Sequence, residues 1–230
     1  MHQIAALRLL LAVCYPLLAH IASVEGSGTW AVGALVDLCL IVLLMPLAQR
    51  RPWAWALLAL LVAGLWSLRD TVYPPLMLLA PPMAFTALLS WWFARSLRAP
   101  RVPVITRIVG GLEQCAPGEL SPELQRYTRR LTATWAWLLA VLSLANAVLA
   151  LIAVPDGLLV RLGHPPLITV SQQAWSWFAN LLNHGIVGGF FIGEYALRRR
   201  WFPDRPYRNF VDFLRRLGAL GPKFWRELFD

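Results

Sequence analysis

The chain has 230 residues, of which 58% are hydrophobic and 14% charged, with a net charge of +9 and a mean hydropathy of +0.57. A soluble domain carries about 25% charged residues to cover its core, so this composition argues against a soluble enzyme, a disordered chain or a disulfide-stapled secreted domain. An integral membrane protein is expected. A helical span needs about 20 apolar residues, which leaves room for roughly six spans.

Six apolar runs are read in chain order, near 4–22, 30–48, 53–68, 74–93, 131–154 and 174–195. The fold class expected from them is an all-α, polytopic membrane bundle of about six transmembrane helices, with cytoplasmic amphipathic helices added. The first run lacks a basic n-region and a small-residue cleavage site, so it reads as a retained helix. The third is short. The fourth carries Pro74, Pro75, Pro81 and Pro82 and should be kinked. Trp53, Trp55, Trp66, Trp91, Trp92, Trp175 and Trp177 sit near run ends, as interfacial anchors do. Residues 1–200 form the transmembrane domain with a cytoplasmic loop at 94–130, and residues 201–230 a basic amphipathic tail.

Orientation follows from the basic residues, 20 of which are arginines and one a lysine. Eighteen of the 21 fall after the second run, after the fourth run or in the tail; Arg69 and Arg161 lie on the other side and Arg8 within the first run. The positive-inside rule then puts both termini in the cytoplasm. On that face Val104, Ile105, Ile108, Val109 and Leu112 make an apolar helical stripe. Ser121, Pro122 and Glu123 form a helix start whose helix runs on into the fifth span. In the tail, Tyr207, Phe210, Val211, Leu214 and Leu217 line one side of a helix expected to lie in the interface.

Polar groups inside a membrane cost free energy unless partnered, so they are the candidate sites. A rise of about 1.5 Å per residue puts Arg8 about 6 Å and Glu194 about 2 Å from the cytoplasmic edge, which suggests an ion pair between them. The same arithmetic puts Asp37, Asn183 and His184 at about 16–17 Å, and Asn146 and Asn180 at about 22 Å. Asn180, Asn183 and His184 are spaced i, i+3, i+4 and share a helical face. These five form a candidate substrate-binding layer, with His20 a possible neighbour of Asp37. His164 reads as a turn residue. The three cysteines make no metal-ligand spacing, and neither a catalytic motif nor a metal site nor a cofactor is expected. The basic residues hug the membrane ends, which argues against nucleic acid as a partner.

Three stretches carry a family resemblance: Tyr73-Pro74, the run from Glu119 to Trp135 and the run from Trp175 to Arg200. Within them Pro122 to Arg130 and Gly193-Glu194-Tyr195 are the most specific. They resemble a family of small six-span bacterial inner-membrane proteins encoded among genes for aryl-polyene pigments of the xanthomonadin type. The resemblance covers roughly residues 73–200 and implies a role in making or moving a carrier-bound polyene. It brings no ketosynthase Cys-His-His arrangement with it.

Three functions are weighed. In the first, an acidic acyl carrier protein or polyene synthase complex docks on a basic face comprising Arg101, Arg107, Arg126, Arg129, Arg130, Arg198, Arg199, Arg200, Arg215 and Arg216, which also meets membrane lipids. The apolar product is then accommodated between the spans. The second is a transporter or flippase that exports the lipid-linked pigment through the Asp37 layer. The third is a membrane scaffold without a site.

Overall fold

A computed structural model of the chain describes residues 2–164, 166–202 and 207–229. Pro165 and Arg205 lie outside the described residues. The protein is 79% helical with almost no strand. The described helices are α1 (His2–Glu25), α2 (Gly28–Ala48), α3 (Pro52–Ser67), α4 (Tyr73–Met77), α5 (Ala80–Ser96), α6 (Val104–Glu113), α7 (Pro122–Ile152), α8 (Leu158–Arg161), α9 (Gln172–Trp177), α10 (Asn183–Trp201), α11 (Phe210–Ala219) and α12 (Gly221–Phe229). Four stretches are long and apolar enough to cross a membrane: Ala6–Glu25, Gly28–Ala48, Tyr73–Ser96 and Pro122–Ile152. The chain divides into two compact units, one of residues 1–84 and 144–186, the other of residues 85–143 and 187–230.

In the first unit, α1 and α2 form a hairpin. Ala19 and Ala22 of α1 are buried with Ala31, Ala34 and Leu35 of α2, small side chains that let two backbones approach closely. The hairpin turn ends on Ser27, whose Oγ accepts a hydrogen bond from the Trp30 N–H. Gly28 follows because a Cβ there would run into the Arg69 carbonyl oxygen. The proline-rich run is two helices rather than one kinked helix. Pro81 and Pro82 have no N–H for the carbonyls of Met77 and Leu78, so the ladder breaks there, and α4 ends at Met77. A second interruption lies between α9 and α10, where Phe178–Leu182 is a π-helical turn. Short parallel pairs join β1 (Ala153–Val154) to β2 (Val170–Ser171).

In the second unit, α7 starts where Ser121, Pro122 and Glu123 predict it. The Leu124 N–H donates to Ser121 Oγ, and the helix runs unbroken for 31 residues. Helix α6 packs on its start. The first two amides of α6, Val104 and Ile105, donate to the hydroxyls of Ser96 and Thr132, which satisfies donors a helix N-terminus otherwise leaves open. Ile105, Val109, Leu120 and Leu131 bury together above them. Helices α11 and α12 close over α6. A Cβ at Gly111 would come within 2.9 Å of the Phe224 ring, so α12 rests almost directly on α6 backbone.

Part of the tail's expected apolar stripe packs on protein. Tyr207 and Phe213 are buried with Leu112, and Phe191, Tyr195 and Phe210 pack around them. Part of the apolar side of α11 is thus covered by protein, its seat being the aromatic rings Phe191 and Tyr195 of α10. Val211 and Leu214, read as part of that stripe, are exposed instead. Helix α11 begins with reciprocal caps: the Asp212 N–H donates to Asn209 Oδ1, and the Arg208 N–H donates to Asp212 Oδ2. That backbone donor, with the Arg216 guanidinium beside it, holds the Asp212 carboxyl below its ordinary range.

Candidate functional site

In the first unit, Asp37, Asn146, Asn180 and Asn183 are all buried. His184 is exposed and does not join them. Asn183, three residues after Asn180, stays on the buried side across the π-turn, whereas His184, about 100° further round α10, does not. Asn180 Nδ2 donates to Ser176 Oγ at 3.1 Å, and Ser176 Oγ lies 2.9 Å from His20 Nδ1. His20 therefore turns to Ser176 instead of Asp37, with its ring edge-on to Trp177.

Asp37 has a different neighbour. Tyr15 of α1 is within electrostatic reach of it. Among the described residues, Asp37 Oδ2, the Tyr15 hydroxyl and Asn183 Oδ1 are buried without a hydrogen-bond partner. Buried polar atoms are rarely left so, because each forfeits the hydration it lost. This unit can thus offer one carboxylate, one phenol and one amide oxygen to a polar or proton-bearing group. The chain His20–Ser176–Asn180 is by contrast satisfied and structural. Ser176→Ala should lower apparent thermal stability by about 0.5–2 kcal/mol, since it strands a buried amide and an imidazole nitrogen. Tryptophan-monitored melting in mild detergent reads this, and an unchanged midpoint would mean the chain contributes nothing to the fold.

The second unit holds an ion pair that replaces the expected one between Arg8 and Glu194. Glu194 Oε1 accepts from Arg198 Nη2 at 2.6 Å, from Arg198 Nε at 2.8 Å and from the Tyr127 hydroxyl at 3.1 Å. The two charged residues stand four apart on α10, the spacing at which helical side chains meet, and both are 8% exposed. Arg8 is exposed on α1. Burial pushes the Glu113 carboxyl up, against the pull of the same Arg198.

The basic face sorts accordingly. Arg198 is buried in its pair and cannot meet a partner. Arg107 donates to the carbonyls of Glu227 at 2.7 Å and Leu228 at 3.4 Å, capping the end of α12. Arg216 pairs with Asp212. Arg129 is exposed, with Nη2 donating to the Leu97 carbonyl. Arg101, Arg126, Arg130, Arg199, Arg200 and Arg215 are exposed too.

One feature of this unit was not legible in the sequence. Between α7 and α10 lies an open cleft of about 750 Å³. On α7 it is bounded by Glu123, Arg126, Tyr127, Arg130 and Thr134, one helical face; on α10 it is bounded by Gly189, Phe190, Gly193, Leu197 and Trp201. Compared with known proteins, the chain matches no family model, no curated protein and no solved structure.

Proposed function

We propose that the chain is a multi-pass protein of a bacterial inner membrane, with six spans and both termini cytoplasmic, and that it serves as an accessory protein of aryl-polyene pigment biosynthesis of the xanthomonadin type. Its exposed arginines dock an acidic acyl carrier or synthase complex at the bilayer, and its spans accommodate the apolar product. The membrane part of this reading rests on exposed apolar helix. Only Ala54 of the sixteen residues of α3 is buried. On α7, Trp137, Val141, Leu144, Val148 and Leu151 are all exposed at alternating spacings of four and three. Hydrocarbon is the environment in which such faces are stable.

The observation that carries the docking part is the run of exposed arginines Arg126, Arg129 and Arg130 on the first turns of α7, before the helix turns apolar. Positive charge there steers an acidic partner and fixes its orientation. Arg107 and Arg198 are left out of the docking face, because their guanidinium groups already serve the fold.

A second reading, a flippase or transporter for the finished pigment, is favoured by the partnerless Asp37 oxygen and by the two broken helices of the same unit. Deleting the gene and measuring pigment absorbance in inner- and outer-membrane fractions separates the readings. Pigment lost from both fractions, and restored by the unaltered gene, is expected for the biosynthetic role. If arginine-to-glutamate changes at 126, 129 and 130 then leave pigment yield and carrier binding unchanged, docking is wrong. Pigment trapped in the inner membrane selects export, which Asp37→Asn should then abolish.

A further inference from the structure

We infer that the cleft between α7 and α10 binds one anionic phospholipid, its phosphodiester held by Arg126 and Arg130 and one acyl chain laid along the cleft. The cleft's volume of about 750 Å³ lies in the range of about 300–1,000 Å³ usual for small-molecule sites. Its lining on α7 extends from Glu123 to Thr134, about 17 Å at the helical rise.

Polarity changes along that length. At one end stand Glu123, Arg126 and Arg130, with Tyr127 and with Leu197 and Trp201 of α10; further along α7 the lining is Leu131 and Thr134, faced by Phe190 of α10. Gly189 and Gly193 keep the α10 side open, since a Cβ at either would meet nothing within 4 Å. Glu194 also borders the cleft, but Arg198 neutralises it. One exposed carboxylate, Glu123, therefore opposes two exposed guanidinium groups, and the mouth favours an anion. Arg126 is steadied by its Nε donating to the Pro122 carbonyl at 3.2 Å.

The choice of a bilayer lipid over another amphiphile comes from α7 itself. The helix passes from exposed arginines at 126, 129 and 130 to exposed apolar residues from Trp137 onward. The cleft leads up to that change along the helix. A phospholipid already lies with its phosphate at such a boundary and its chains beyond it, so entry needs no reorientation. The inference rests on the membrane part of the proposed function and not on the pigment reading.

The test is native mass spectrometry of the full chain released from nanodiscs of equimolar dioleoyl phosphatidylglycerol and dioleoyl phosphatidylcholine. The unaltered chain should retain one phosphatidylglycerol in preference to phosphatidylcholine. The variant Arg126→Gln/Arg130→Gln should reduce that preference by roughly 25-fold, about fivefold for each arginine. Gly193→Leu, placed where side-chain space is open, should abolish retention of both lipids. Lys223→Gln/Arg226→Gln, exposed and outside the cleft, should leave retention unaltered. The inference is overturned if the first variant keeps the preference, if the Lys223/Arg226 variant loses it equally, or if Gly193→Leu retains lipid normally. Displacement of phosphatidylglycerol by equimolar oleoyl-coenzyme A would also overturn it, and would give the cleft to a carrier-borne acyl chain.

Discussion

Arg198→Ala should destabilise the protein by about 3–5 kcal/mol, the usual consequence of removing one partner of a buried ion pair. Glu194 is 8% exposed and loses two of its three hydrogen bonds, keeping only the Tyr127 hydroxyl. The cost lies in the orphaned carboxylate more than in the lost attraction. A double variant, Glu194→Gln/Arg198→Met, should therefore recover most of the stability, because neither residue then carries a charge. Melting the parent and both variants in one detergent tests this. A double variant no more stable than Arg198→Ala would put the loss in packing, where the guanidinium lies 6.0 Å from the Phe213 ring centre.

Phe213→Ala should cost about as much, roughly 3–5 kcal/mol, for an apolar reason. The ring is 4% exposed, with centroids of Tyr207 at 5.0 Å, Tyr195 at 5.7 Å and Phe191 at 6.0 Å. Each of those rings would border the cavity left behind. Val211→Ala, two residues earlier and 73% exposed, should change stability by no more than about 0.5 kcal/mol in detergent. Equal effects from the two would mean that α11 docks without being part of the cooperative fold of its unit.

Which parts could be read from the sequence has a physical explanation. The start of α7 was legible because a capping serine, a first-turn proline and a first-turn acid leave a local signature. The α6 stripe was legible because its apolar spacing matches the helical period, and the structure buries Val104, Ile105, Val109 and Leu112 as that spacing requires. The π-turn at Phe178–Leu182 was not, since nothing in residue type separates an i→i+5 ladder from an i→i+4 one. His184 is exposed because it stands about 100° round the helix from the buried Asn183.

Depth alone does not choose the partner of Glu194, since Arg8 at a similar depth stays exposed. The better signal was present: Glu194 and Arg198 stand four apart, and local pairing needs no assumption about which helices meet. In the tail, a stripe through Val211 and Leu214 suits a lipid surface, whereas packing on protein selects Phe213. Two aromatic residues on α10, Phe191 and Tyr195, turn the helix so that Phe213 points inward. The α7–α10 cleft depends on two helices meeting and has no one-dimensional trace.

Helix α3 carries a consequence of a different kind. Its sixteen residues rise about 24 Å, short of the roughly 30 Å hydrocarbon of an ordinary bilayer. On the six-span reading, the leaflets beside α3 must pinch inward to meet its ends, where Trp53, Trp55 and Trp66 are exposed. The protein would then dimple the sheet around one flank and settle more comfortably where the lipid is thin.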